Sequence, residues 1–176
     1  MKASFLPEII NDYRVFKGSQ FIGTSGELEL PELTAINETN EGAGVLGEIE
    51  VPATGQFESM VTKIKFAILH VAIFDLMDTT KAQELTLRAD GQYTDKTTGD
   101  TQDVPVKIVI RGKAKTTNLG SLTKGKKGEP ELELETFYLK IEIDGEAMLE
   151  LDKLNYIYKV RGKDLMAKIR KNLMGQ

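Results

Sequence analysis

Cysteine is absent from the 176 residues of this chain, and histidine occurs once, as His70. Without cysteine the protein has no disulfide framework and no thiolate ligand for a metal. A typical zinc site would also need a second imidazole. These absences exclude a small secreted protein held together by disulfides, and they are consistent with assembly in a reducing cytoplasm.

The sequence also lacks a long apolar run. In the opening segment MKASFLPEIINDYRVF the apolar residues are interrupted by Pro7, Glu8 and Asp12, so a signal-peptide core is missing. No run approaches the roughly 18 apolar residues of a membrane span. We expect a soluble cytoplasmic protein that leaves the cell only by lysis or within a larger particle. The length, the 40% hydrophobic content and the lack of repeats or linkers predict a single domain over residues 1–176.

Basic residues are missing between Lys17 and Lys63. The glutamates in this gap give it a charge of −8, although the net charge of the whole chain is only −4. The reverse imbalance occurs in RGKAKTTNLGSLTKGKKG, residues Arg111–Gly128, which contains no acid, and again from Lys159 onward. Such separation often serves a surface that meets a complementary one, although solvated faces without partners explain it equally well.

Alternating apolar and polar residues predict a mainly β protein. Met60–Ile68 places apolar side chains on one face and Lys63 and Lys65 on the other, as in a half-buried strand. The same alternation predicts a strand through Val104, Val106, Ile108 and Ile110, and another through Leu85, Leu87 and Ala89 that ends at an Asp90-Gly91 turn.

The alternation shifts by one residue within Glu131–Asp144, since its apolar residues lie at even positions up to Leu134 and at odd positions from Phe137. A one-residue slip would turn the apolar face outward, so we predict a β-bulge or a handover between two packed surfaces near Glu135 and Thr136. Such a strand would pack against the core of its own domain over one part of its length and against a neighbour over the other.

Asp144-Gly145 predicts a tight hairpin turn into a further long strand, which also changes phase between Leu151 and Leu154. Two helices are expected, a short one over Val71–Met77 and a C-terminal one with basic residues near its end. The first would pack through Ile73, Phe74 and Met77, and the second through Leu165, Ile169 and Leu173. Loops are predicted at Asn37–Gly47, Thr94–Asp103 and Thr117–Pro130.

The segment EGAGVLGEIEVP contains Gly42, Gly44 and Gly47 in the G-x-G-x-x-G spacing of a dinucleotide fingerprint. The fingerprint requires a helix after the glycines, because helix amides hold the pyrophosphate. Here Ile49, Val51 and Pro52 follow, and the nearby carboxylates would repel phosphate. We therefore interpret the segment as a sharply turning acidic loop between two strand regions.

Other sites are weakly supported. His70 has no serine motif beside it and is expected at a strand–helix junction. The glutamates at 131, 133 and 135 could be the paired carboxylates of a glycosidase, but their spacing is explained more simply by a strand that places polar residues on one face. The aspartates at 95, 100 and 103 lack EF-hand spacing. The basic stretch lacks the aromatics that stack on bases, and the basic C-terminal helix has no aromatic residue for binding a membrane surface.

Three segments in order resemble the major tail tube protein of contractile-tailed bacteriophages, a family that also supplies the inner tube of phage-tail-like bacteriocins, or tailocins. They are PEIINDYRVFKGSQFIGTSGELELPEL, ETNEGAGVLGEIEVPATGQFESM and LELDKLNYIYKVRGKDLMAKIRKNL. The most specific part is GAGVLGEIEVP with the following G-x-F at Gly55–Phe57. The loop at 94–103 and the Lys-Gly-rich loop at 120–130 have little of the family signature.

The resemblance implies an antiparallel β-sandwich or barrel of the phage tail tube type, with one short flanking helix, a C-terminal helix and extended loops. It implies a structural protein that is not an enzyme and uses no cofactor and no metal. Hexameric rings would stack helically into a tube inside a contractile sheath, with tape measure and baseplate proteins as further partners. Contraction would drive the tube through the target envelope, and DNA would pass down the bore if the particle is a phage.

Two hypotheses follow for the residues involved. The acidic loop would reach a basic surface on an adjacent subunit, and a net negative bore would let DNA slide without sticking. The loop candidates are Glu38, Glu41, Gly42, Gly44, Gly47, Glu48 and Glu50; the basic candidates are Arg111, Lys113, Lys115, Lys124, Lys126 and Lys127; the lumen candidates are Glu58, Glu133, Glu135 and Glu142. The alternative is a monomeric or dimeric β-barrel that binds a ligand with the Gly42–Gly47 loop.

Overall fold

The computed structural model describes residues 5–23, 27–41 and 46–175. Its strands are β1 (Phe5–Lys17), β2 (Gln20–Ile22), β3 (Leu28–Glu29), β4 (Ala35–Asn40), β5 (Ile49–Phe57), β6 (Val61–Lys65), β7 (Gln83–Asp95), β8 (Thr101–Asn118), β9 (Glu131–Ile143), β10 (Glu146–Asp152), β11 (Ile157–Val160) and β12 (Lys163–Asp164). The helices are α1 (Val71–Leu76) and α2 (Ala167–Met174). The mainly β class and both helices are confirmed.

One antiparallel sheet organises most of these strands. Its order is β12-β11-β10-β9-β8-β7-β1-β2, and β6 joins it by pairing with β9 on one side and β3 on the other. Across the described residues, the pairings do not close this sheet into a barrel. Within the described part of the chain, strands β4 and β5 pair only with each other, as a separate two-stranded sheet.

The core lies on one face of the main sheet. Its buried side chains come from β1 and β2, from alternate positions of β6, β7, β8 and β9, and from α1, which contributes Ala72, Ile73 and Leu76. The predicted alternation in β6 is confirmed from Met60 to Phe66, all of whose apolar residues at even positions are buried. Ile68 lies beyond the end of β6 and is exposed, so its predicted place on the buried face is wrong.

The phase shift in β9 is a bulge, as predicted. Arg111 pairs with Tyr138 and Gly112 pairs with Thr136, which leaves Phe137 without an opposite residue on β8. At the same point the other neighbour of β9 changes, because β6 pairs with residues 131–135 and β10 with residues 138–143. The extra residue keeps Leu134 and Leu139 on the core side.

Two predicted features of the strands are wrong. Asp90-Gly91 is not a turn, because Gly91 pairs with Ile10 on β1 and with Val104 on β8, and this pairing on both sides holds it in an extended strand. The strand predicted after Asp144-Gly145 is two strands, β10 and β11. The change of phase predicted between Leu151 and Leu154 is a turn at which the chain reverses direction. Asp152 Oδ1 accepts hydrogen bonds from the amides of residues 154 and 155 in this turn.

The predicted turns and helices are otherwise close to the structure. Asp144 and Gly145 have φ of 52° and 76°, which is the geometry of a tight two-residue hairpin. His70 caps α1, because its Nδ1 accepts a hydrogen bond from the Ala72 amide at 3.2 Å. The buried face of α1 consists of Ala72, Ile73 and Leu76, so Phe74 and Met77, which are exposed, were wrongly predicted to pack.

The C-terminal helix and the loops differ in their bounds. α2 begins after Leu165, and its predicted apolar residue Leu173 is exposed, whereas Met166 just before the helix is buried. The loop predicted at 94–103 is reduced to residues 96–100 by the lengths of β7 and β8. Within the part of the chain that the structure describes, no helix has the length and apolar character needed to cross a membrane.

Candidate assembly interfaces

Strands β4 and β5 form a hairpin, here called the arm (Ala35–Phe57), that stands apart from the main sheet. Glu38 pairs with Val51 and Asn40 with Ile49, so residues 37–40, predicted to be loop, are strand. β5 begins at Ile49, so no helix follows the glycines, as predicted. Gly47 near the tip has φ of 105°, whereas Gly42 and Gly44 lie outside the described residues.

The arm exposes both of its faces. Every described residue from Ile36 to Pro52 is exposed, including Glu38, Glu41, Glu48 and Glu50. Ile49 and Val51 share one face because they alternate along β5, and Leu46 at the tip is fully exposed. A two-stranded hairpin that buries neither face is marginal in water. The arm therefore has both the acidic side chains and the apolar surface of a segment that packs against another molecule.

The base of the arm is attached firmly. The Glu58 amide donates a hydrogen bond to the Thr34 carbonyl at 2.9 Å, and Lys153 Nζ donates to the Glu58 carbonyl. Burial lowers the pKa of Lys153, which is consistent with a lysine held against the domain. Phe57 packs edge-to-face on Tyr158 with ring centroids 5.1 Å apart. The anchored base fixes the point from which the arm projects.

The predicted basic surface divides into two groups. Arg111 stacks on the Tyr138 ring at 3.9 Å and pairs with Glu84 and Asp152, while Lys115 Nζ lies 3.3 Å from Glu135 Oε2. By contrast, four lysines make no ion pair with any residue that the structure describes. These are Lys113 on β8 and Lys124, Lys126 and Lys127 in the loop between β8 and β9.

The free edge of β1 was missed by sequence reasoning. β1 pairs with β7 along most of its length, but among the described residues only β2 pairs with its other edge, at residues 15–17. Leu6, Ile9 and Ile10 in the uncovered half are exposed. Pro7 was a usable signal, because proline within a strand is confined to edges and bulges. An unpaired edge with exposed apolar side chains is a template for pairing with another chain.

An open apolar groove of about 510 Å³ lies beside this edge, on the core side of the sheet. Ile10, Leu30, Leu87, Ala89 and Val106 contribute to its lining, and the described residues of the arm do not. The groove is therefore not a pocket of the glycine loop, where the alternative ligand-binding interpretation would place one.

A sequence model of the family described as "Phage tail tube protein FII" matches residues 7–173, which is nearly the whole chain. The chain belongs to this phage tail tube protein family. It is also 27% identical over 170 residues to the "Tail tube protein" of Escherichia phage P2, a match that covers 96% of this chain and 98% of that protein. It is a structural protein of the phage tail tube, and the resemblance noted from its sequence is confirmed.

Three of the lumen candidates of this tail tube protein lie on the polar face of the main sheet. Because of the bulge at Phe137, Glu133, Glu135 and Glu142 all project from the face of β9 opposite the core. Glu58 lies between the arm and β6 and is exposed.

Basic residues accompany two of these glutamates, Glu135 and Glu142. Glu142 accepts from Lys140 at 2.7 Å and lies 3.4 Å from Lys107, and the Lys140 hydrogen bond lowers its pKa. Burial alone would raise the pKa of Glu135, but hydrogen bonds from Ser59 and Lys115 outweigh it and hold that pKa below 4.5. Acidic and basic side chains therefore offset one another on this face.

Among the described residues, no group of three or more His, Asp or Glu side chains is arranged to hold a metal.

Proposed function

We propose that this tail tube protein builds the inner tube of a contractile tail as hexameric rings stacked helically. Each chain acts as a single domain over residues 1–176, without catalytic activity and without a cofactor. A sheath surrounds the tube, tape measure and baseplate proteins complete the tail, and contraction drives the tube through the target envelope. The particle is a phage virion or a tailocin, assembled in the bacterial cytoplasm and released by lysis.

The free edge of β1 is the observation that supports ring formation. An edge strand with exposed apolar residues is a liability in a monomer, and pairing with the next subunit removes it. A heterologous contact of this kind closes into a ring when its rotation permits. The apolar groove beside β1 would be covered by the same neighbour.

The arm supports stacking. We infer that its carboxylates reach the basic stretch Arg111–Lys127 of an adjacent subunit or ring. Reversing Lys113, Lys115 and Lys126 to glutamate together should weaken tube assembly at low salt, where screening is least. Deleting residues 40–47 should leave a folded subunit that no longer makes tubes. Tubes formed by the deletion variant would show that the arm is dispensable.

The polar face of the main sheet is the proposed wall of the bore. Basic groups that release counterions hold each phosphate of a polyanion. On this face Lys107, Lys115 and Lys140 are engaged by glutamates, which makes them less available to DNA. We therefore propose that Glu133, Glu135 and Glu142 face the lumen. A tube structure with a basic bore would contradict this assignment.

Negative-stain imaging of the purified chain at high concentration tests the proposed function directly. Rings and tubes are the expected result. A single small species by light scattering at every concentration would favour the monomeric or dimeric binding module instead. Ile9→Lys sharpens the test, because a charge on the β1 edge should block ring closure and leave the fold intact. Thr97→Lys, in the exposed turn between β7 and β8, is the matched control and should assemble normally.

A further inference from the structure

The loop between β8 and β9 presents an apolar depression flanked by lysines. Ile68, Leu69, Leu119 and Leu122 line a cavity of about 260 Å³ together with Lys124 and Lys126; these six residues are here called the loop patch. Ile68 and Leu122 are 63% and 92% exposed, and together with Leu69 and Leu119 they form a contiguous apolar patch rather than isolated exposed residues. The loop patch thus combines uncovered apolar area with two lysines that form no ion pair with any described residue.

The loop patch is built on a fixed backbone. The Gly128 amide donates to the Ala67 carbonyl at 2.9 Å, the Ser121 amide donates to the Gly128 carbonyl at 2.8 Å, and Asn118 Oδ1 accepts from the Gly120 amide at 2.9 Å. These bonds tie both ends of the loop to each other and to the segment after β6. A preformed surface loses less conformational entropy when it binds a partner than a loose one.

The arm has the complementary properties. Its tip and one face expose Leu46, Ile49 and Val51, and its carboxylates Glu48 and Glu50 make no ion pair within the described residues. If the arm of one copy lies on the loop patch of another, the apolar side chains of the arm contact the apolar side chains of the patch. The arm carboxylates then lie near the patch lysines. Within the described residues, no hydrogen bond or ion pair joins the two surfaces in the same chain.

We propose that the loop patch is the receptor for the arm of a neighbouring copy of this chain. This inference rests on the proposed tube assembly and narrows it, because it selects Lys124 and Lys126 over the basic residues of β8. Arg111 and Lys115 are already paired within the subunit, whereas Lys124 and Lys126 lie beside the exposed Leu119 and Leu122 in one depression.

Disulfide trapping tests this contact, since the natural chain has no cysteine. Leu46→Cys combined with Leu122→Cys places one thiol on each surface. Oxidation of assembled tubes should give a ladder of covalent multimers on a denaturing gel, whereas a mixture of the two single variants should stop at dimers. Leu46→Cys with Leu6→Cys is the matched control and should give no ladder. Tubes in which only the control pair cross-links, or in which Leu46 and Leu122 join within one chain, would overturn the proposal.

Charge exchange provides a second measurement. Lys124→Glu with Lys126→Glu should raise the critical concentration for tube formation by about tenfold at low salt. Adding Glu48→Lys and Glu50→Lys to the same chain should restore it, because every contact then has reversed charges. Lys96→Glu with Lys168→Glu makes the same charge change at two exposed lysines outside the loop patch and should have little effect. If this control pair impaired assembly as much as the loop-patch pair, the receptor assignment would be wrong while the tube function stood. Failure of the natural chain to assemble at all would contradict both.

Discussion

Replacing Gly120 with alanine should destabilise the protein more than the same change at a glycine in open space. Gly120 has φ of 74° and lies at the start of the loop between β8 and β9. A Cβ at this position would overlap the Gly128 carbonyl oxygen and lie 2.9 Å from the Pro130 nitrogen. Both neighbours are backbone atoms, so no rotation of a side chain can relieve the clash.

Two effects contribute to the expected magnitude. Holding alanine in the left-handed region costs about 1–2 kcal/mol. Overpacking against fixed atoms adds about 1–3 kcal/mol. Gly99→Ala is the matched control, because Gly99 has φ of 79° and nothing lies within 4 Å of its added Cβ. We expect the free energy of unfolding to fall by about 1–2 kcal/mol in the control and by about 2–5 kcal/mol in Gly120→Ala.

Urea unfolding followed by circular dichroism measures both changes, at protein concentrations too low for tubes to form. The difference between the two variants isolates the steric part, since both share the cost of positive φ. Equal free energies of unfolding in Gly99→Ala and Gly120→Ala would refute the argument that the loop backbone is closely packed against itself.

Three further predictions concern the core and the polar face. Thr62→Val should cost about 1–2 kcal/mol, because the buried Thr136 hydroxyl loses a partner 2.8 Å away, and adding Thr136→Val should recover most of the loss in urea unfolding. Leu134→Ala should cost about 2–5 kcal/mol, whereas Leu122→Ala, at a 92% exposed position, should change the free energy of unfolding by less than about 0.5 kcal/mol; similar losses in both would contradict the assigned burial. Glu135→Gln should reduce the loss of stability in acid: the folded pKa of Glu135 lies below its ordinary 4.5, so the unfolded chain binds the proton more readily and the natural protein loses stability as pH falls through 4.5 to the folded value. Unfolding curves at stepped pH that fall equally steeply in variant and natural protein would contradict this.

The strands with strong alternation could be predicted because apolar residues at alternate positions indicate which face of the strand is buried. The strands at Met60–Phe66 and β9 could be predicted without knowing which strands pair with them. The one-residue shift near Thr136 could be predicted as a bulge because the apolar face of the strand had to remain buried. The hairpin turn at Asp144-Gly145 could also be predicted from local sequence, since it depends on two residues that accept positive φ.

The failures involve pairing between distant segments. Asp90-Gly91 has the composition of a turn, yet strands on both sides hold it extended through many hydrogen bonds at once. The weakly alternating β1 became a strand through its pairing with β7. Likewise, the sequence of the basic stretch does not distinguish its cations. Only the fold showed that Arg111 and Lys115 meet acidic partners, while Lys124 and Lys126 form no ion pair with a described residue.

By itself, the sequence determined the mainly β class, the exclusion of a nucleotide site at the glycine loop and the family resemblance, because these depend on residue order and local chemistry. The tertiary structure decided which edge of the sheet stays open among the described residues, which charges are already neutralised and that Glu38 and Glu50 lie on a hairpin separate from the main sheet. Those properties arise from contacts between residues far apart in the chain, and no local pattern encodes which of the possible partners a strand or a lysine will meet.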